Sequence, residues 1–170
     1  ISIKRLDLIH PHISGNKFFK LKYNIEYAMQ HGDQQILTFG GAYSNHIAAT
    51  AFAAHEFGLN SVGIIRGLEL QSKPLNPTLQ TAKNFGMHLE FISREQYRHK
   101  QNAEYLNELK QRYPKAYIVP EGGTNALAIL GCREILTPQD QDFDLICCAV
   151  GTGGTITGLI EASHSQQHVL

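Results

Sequence analysis

Three short stretches carry the residues able to do chemistry: Ser14–Asn24 (SGNKFFKLKYN), Thr38–His46 (TFGGAYSNH) and Ala149–Gly158 (AVGTGGTITG). In the third, Gly151-Thr152-Gly153-Gly154-Thr155 follows an apolar run and precedes a helical pattern from Ile156 to Ala162. Glycines let the backbone approach an anion, successive N–H groups and the helix dipole favour negative charge, and Thr152 and Thr155 add hydroxyl donors. A dinucleotide fingerprint needs glycine where Ile156 stands, and a nucleotide P-loop needs Gly-Lys-Ser/Thr, so a single phosphate group is the expected anion. In the first stretch Lys17 sits at a helix start among apolar positions that include Phe18, Leu21, Ile25 and Met29. The helix N-terminus and desolvation both disfavour its ammonium form, leaving an amine suited to Schiff-base chemistry. Lys20, one turn later, is the candidate phosphate partner. In the second stretch Ser44 offers a hydroxyl for capping, for a substrate carboxylate or for proton transfer, and Asn45 can hydrogen-bond a phenolic oxygen. His46 is expected to titrate near neutral pH and to serve substrate recognition without a catalytic role. Each feature has a plain structural alternative: a tight strand-to-helix turn at 151–155, solvated lysines, an N-cap serine, a structural histidine. Their joint order describes a phosphate-bearing cofactor held near a lysine.

The bulk composition narrows the partners. Lys plus Arg equals Asp plus Glu at 15 each, so no basic excess attracts nucleic acid or an anionic membrane surface. Three cysteines, Cys132, Cys147 and Cys148, form no disulfide framework and fit a reducing cytosol, hence a cytoplasmic protein. The longest apolar runs, Ile47–Ala54 and Leu145–Val150, are too short to cross a bilayer, and no charged-then-apolar leader opens the chain, so the expectation is soluble and unexported. No histidine or cysteine cluster has zinc-motif spacing, and no metal is expected. The chain opens on Ile1 and stops at Leu170 within an apolar segment, which reads as a piece of something longer.

The elements that must position these residues follow from periodicity. Short β-rich runs recur at Ile36–Phe39, Val62–Ile65, His88–Ile92, Ala116–Val119 and Leu145–Val150, each separated by room for a helix, and that alternation predicts a parallel α/β sheet. Ser93 with Gln96 predicts a capping box opening a long helical segment to Arg112, and Gly32, Gly58 and Gly86 stand where helix C-caps belong. The loop from Gly67 to Pro77 is the least regular stretch and is expected to be a surface connection.

At these residues the chain resembles the fold-type II pyridoxal-phosphate enzymes, which are tryptophan-synthase-β-like. Within them it resembles the aminocyclopropane-carboxylate deaminase / D-cysteine desulfhydrase family. IKRLDL from Ile3 is similar to that family's opening strand, GNKFFKL to its Schiff-base lysine segment and FGGAYSNH to its substrate-carboxylate loop. PEGGTNALAILG from Pro120 is similar to its later glycine turn, and GTGGT to its phosphate loop. The resemblance implies open parallel sheets with helices on both faces. It also implies a large cofactor domain, here 1–39 and 137–170, and a small inserted domain, 40–136, in a chain truncated at its C-terminus. It implies pyridoxal 5'-phosphate as cofactor, bound by Lys17 as a Schiff base, with Ser44, Asn45 and His46 toward substrate and Asn45 toward the pyridoxal ring. Gly151, Thr152, Gly153, Gly154 and Thr155 with Lys20 would hold the phosphate, and the full-length protein would be a homodimer. The implied reaction is elimination from a small amino acid, D-cysteine giving ammonia, sulfide and a keto acid. The alternative is aminocyclopropane-carboxylate deamination; a noncatalytic phosphate- or cofactor-binding module is the rival of another class. Histidine at 46, where true deaminases typically carry glutamine, resembles the desulfhydrase branch. Leu6 stands where an acidic residue is common.

Overall fold

Short apolar runs build a four-stranded parallel sheet from β1 (Gln35–Gly41), β2 (Asn60–Arg66), β3 (His88–Ile92) and β4 (Ala116–Val119) in the computed structural model, which describes residues 1–170. The order is β3-β2-β1-β4, with Gln35 opposite both Asn60 and Ala116, so β1 is central and β4 is an edge. β1 and β2 are near-continuous apolar runs, as a strand covered on both faces requires. Odd positions Leu37 and Phe39 pack with Val62, Ile64, Tyr97 and Leu109 on one face. Ile36 packs on the other, against Leu21, Ile25 and Ala28 of α1 (Asn16–Gln30) and Ala49 and Ala53 of α2 (Asn45–Glu56). Ile65 joins α2 to α3 (Pro77–Asn84) on that same side. The opposite face is closed by α4 (Arg94–Arg98) and α5 (Ala103–Arg112).

Beyond this sheet, α6 (Ala126–Cys132) packs on α1 and α7 (Gly154–Ala162) packs on α6, and β5 (Leu145–Ile146) pairs in parallel with β6 (His168–Val169). Two glycines permit the helix contacts. A Cβ at Gly131 would lie 2.0 Å from the Phe19 carbonyl oxygen, and one at Gly158 would lie 2.4 Å from Cys132 Cβ.

Several expectations hold: strands at β1–β4, the Ser93–Gln96 capping box, and positive φ at Gly32, Gly58 and Gly86 just past their helices. Others change. The segment from Ser93 to Arg112 is two helices, because His99 to Asn102 turns the chain and Asn102 opens a second one. The strand expected over 145–150 is assigned at Leu145–Ile146, opposite His168–Val169, and the Cys148 N–H continues the pairing by donating to the Leu170 carbonyl at 2.9 Å. The opening strand of IKRLDL is absent: Leu6–Leu8 is a 3-10 turn and the residues before it pair with no strand. Phe39, where the resemblance ends the first segment of the large domain, lies within β1. No helix is long and apolar enough to cross a membrane.

Candidate active site

Lys20 lies on the face of α1 that turns inward, one residue before Leu21, so helical geometry buries it to 2 % exposure. Its ammonium is compensated by three oxygens. Nζ donates to the Gly122 carbonyl at 3.0 Å, to Thr124 Oγ1 at 2.9 Å and to Thr152 Oγ1 at 3.3 Å, and the two threonine hydroxyls hydrogen-bond each other. Gly122 and Gly123 have φ of 67° and 74°, conformations open to glycine, and these let the chain turn sharply after β4. A Cβ at Gly154 would stand 2.9 Å from Thr124 and 3.2 Å from Lys20 Nζ, so glycine there leaves the space above the ammonium open.

Gly153, the N-cap of α7 at φ 85°, has no side chain to spend on the first-turn N–H groups, and no acidic residue occupies that turn. The helix N-terminus is therefore free to receive an anion. Asn16 bridges to it, donating from Nδ2 to Thr155 Oγ1 at 2.6 Å, while Lys17 Nζ donates to Asn16 Oδ1 at 3.0 Å. Lys17 and Lys20 with Gly151, Thr152, Gly153 and Thr155 line a cavity of about 230 Å³. Two larger grooves, each about 580 Å³, run along edge strand β4 and beside β5, and neither contains Lys17 or Lys20. Burial lowers the pKa of Lys17. That of Lys20 is lowered by burial first and by the neighbouring Lys17 charge second. The donor set fits a phosphate: one buried ammonium, two hydroxyls, a glycine cradle that a Cβ would fill and an uncapped helix N-terminus.

The expected site residues separate into groups. Lys17, Lys20, Gly151, Thr152, Gly153 and Thr155 line the cavity, whereas Gly154 lies outside its lining, against Thr124 and Lys20. Ser44 is the N-cap of α2 but makes no capping hydrogen bond, leaving its hydroxyl uncommitted, and Asn45 is exposed beside it; neither lines that cavity. Both stand at the carboxyl end of β1, where ligands gather in open α/β sheets. His46 is a correction. It is buried behind Gly123 and its Nε2 lies 2.8 Å from Thr38 Oγ1. Burial, then the charges of Lys17 and Lys20, push its pKa down to about 3, so it does not titrate near neutrality. Gly122, Thr124, Asn16 and Thr38 were not singled out in the sequence. The signal for Thr124 was its own motif, since Gly122-Gly123-Thr124 repeats the Gly153-Gly154-Thr155 triplet and both converge on Lys20.

A family model described as pyridoxal-phosphate dependent enzyme matches residues 1–169. The chain belongs to that family. Among its relatives, a putative 1-aminocyclopropane-1-carboxylate deaminase of Thermotoga maritima is 38% identical over 94% of this chain and 52% of its own length. A bifunctional D-cysteine desulfhydrase/1-aminocyclopropane-1-carboxylate deaminase of Arabidopsis thaliana is 35% identical over 92% of this chain and 43% of its own. A crystal structure of an ACC deaminase homologue superposes with a TM-score of 0.78 at 31% identity, covering 94% of this chain and 50% of that one. The chain thus spans about half the length of the relatives it matches. The family's cofactor is pyridoxal 5'-phosphate, and the cup around Lys20 has the donors its phosphate requires.

Proposed function

We propose that this chain is the cofactor-attaching part of a pyridoxal-phosphate-dependent lyase acting on a small amino acid, releasing ammonia by α,β-elimination as a D-cysteine desulfhydrase does. The observation that carries this is one amine beside one anion cup: Lys17 shares a cavity with Lys20 and the 151–155 loop. Bound pyridoxal phosphate would supply an electron sink for charge developing on the substrate carbon. The chain's own residues do the rest. Lys20, Thr152, Thr155 and the α7 N-terminus hold the phosphate. Lys17, its basicity lowered by burial, attaches the cofactor, and its Nζ, held by Asn16 Oδ1, carries the proton to and from substrate. Ser44 and Asn45, at an α2 N-terminus with no acidic residue in its first turn, receive the substrate carboxylate. Asn45 would also offer its side-chain amide to the cofactor's phenolic oxygen.

A second reading is 1-aminocyclopropane-1-carboxylate deamination, favoured by the higher identity of the relatives that carry that name than of the D-cysteine desulfhydrase from Serratia proteamaculans, at 30%. The same proposal places the protein in a reducing compartment such as the cytoplasm, where its three free cysteines persist, and as a homodimer at full length. It also assigns β1 and its sheet to the small domain and β5 with α7 to the large one. The test of the central claim is incubation with pyridoxal phosphate, borohydride reduction, intact mass and peptide mapping. One adduct on Lys17 is expected; an adduct elsewhere, or none on folded protein, refutes it. Assays with D-cysteine and 1-aminocyclopropane-1-carboxylate then separate the two reactions.

A further inference from the structure

His46 is fully packed yet plays no part in the roles above. Its geometry fixes which ring nitrogen donates. Thr38 Oγ1 has one proton and lies 2.8 Å from the Val119 carbonyl and 2.8 Å from His46 Nε2. A carbonyl only accepts, so the hydroxyl proton goes to Val119 and Nε2 must be the donor; in the neutral ring, which burial favours, the lone pair is then on Nδ1. Thr50 Oγ1, one turn along α2, reaches toward Nδ1 at 3.5 Å.

The other edge of the ring backs the turn after β4. A Cβ at Gly123 would lie 3.0 Å from His46 Cε1, 3.3 Å from Nδ1 and 3.6 Å from Lys20 Cβ, so a single glycine separates the imidazole from Lys20. The Gly123 N–H closes the turn on the Pro120 carbonyl at 2.9 Å, and the Gly122 carbonyl receives Lys20 Nζ at 3.0 Å. The Thr38–His46 pair therefore grips the turn at its first carbonyl through hydrogen bonding and at its last residue through contact. We propose that His46 is a positioning residue: as a neutral Nε2–H donor it fixes the Val119–Gly123 turn, thereby setting Lys20 in the cup and the preference for a phosphate-bearing ligand. This rests on reading the cup as the cofactor's phosphate site. A protonated ring would bring a second N–H against Gly123 and a third cation beside Lys17 and Lys20, and burial with those two charges keeps it neutral.

The test compares dissociation constants for pyridoxal phosphate and for pyridoxal in wild type, His46→Leu, His46→Gln and Thr38→Val. Wild type is expected to prefer the phosphorylated form. His46→Leu and Thr38→Val should lose about tenfold of that preference, the scale of one buried hydrogen bond, whereas His46→Gln, whose amide nitrogen can donate to Thr38, should stay within about twofold. A preference unchanged in His46→Leu, or lost equally in His46→Gln, overturns the positioning role. A wild type without preference overturns the phosphate reading itself. If His46→Leu does not fold, the imidazole 15N shifts of wild type decide. A neutral Nε2–H ring across about pH 5.5 to 8.5 is expected, and an Nδ1–H tautomer or an imidazolium overturns the proposal.

Discussion

Replacing Gly131 by alanine tests whether the approach of α6 to α1 sets the position of Lys20. The new methyl would fall 2.0 Å from the Phe19 carbonyl oxygen and 2.9 Å from its carbonyl carbon. Real Cβ atoms do not come within 3.0 Å of such neighbours, so the two helices must part by about 1 Å, and no void in a close-packed interior absorbs that. Both obstacles are backbone, which places the cost near the upper end of overpacking, about 3 kcal/mol. Alanine returns about 1 kcal/mol through helix propensity. A net loss of about 2 kcal/mol is expected, seen as a lower urea midpoint at unchanged slope. Lys20 follows Phe19 directly, and its three hydrogen bonds at 2.9–3.3 Å do not all survive such a displacement. Pyridoxal-phosphate affinity should therefore fall with stability. A midpoint equal to or above wild type would refute the packing argument, and lost stability with full affinity would refute the link from helix spacing to the cup.

Lys20→Met should weaken pyridoxal phosphate by about 10- to 100-fold, the range of a charge-assisted hydrogen bond, while changing pyridoxal binding little; equal effects on both ligands would contradict the phosphate assignment. Lys17→Ala should abolish the borohydride-trapped adduct yet leave measurable phosphate-dependent binding, read by mass spectrometry and equilibrium dialysis. His46 has a folded pKa of about 3 against 6.5 ordinarily, so below 6.5 the unfolded chain binds a proton that the folded chain excludes. That contribution is absent above 6.5 and destabilises as pH falls, by about 2 kcal/mol at about pH 5. Urea titrations of His46→Gln should lack this slope, and identical slopes in the two proteins would show that the ring is solvated.

Much of the scaffold was legible because local signals and tertiary demands agreed. β1 and β2 are apolar runs with a single burial solution, and Gly58 and Gly86 sit at positive φ just past helices that cannot continue. The glycine loop at 151–155 declared itself because an anion cradle has to be written in glycine and hydroxyl residues. What stayed hidden depends on partners distant in sequence. Thr38 looks like an ordinary strand residue until α2 folds back and lays His46 against it. Thr124 is a turn threonine until Lys20 reaches it.

Lys20's three hydrogen bonds have a consequence for the order in which the molecule assembles. Its acceptors lie 102, 104 and 132 residues further along the chain, among the least local contacts in the fold. Closing loops of that size is entropically costly and belongs late in folding. During vectorial synthesis α1 emerges before those acceptors do, with Lys17 and Lys20 as ordinary solvated lysines. Neither acquires its altered chemistry until Thr152 has emerged and docked. The lysine proposed to attach the cofactor is thus made early, and burial lowers its basicity only once its distant neighbours have packed around it.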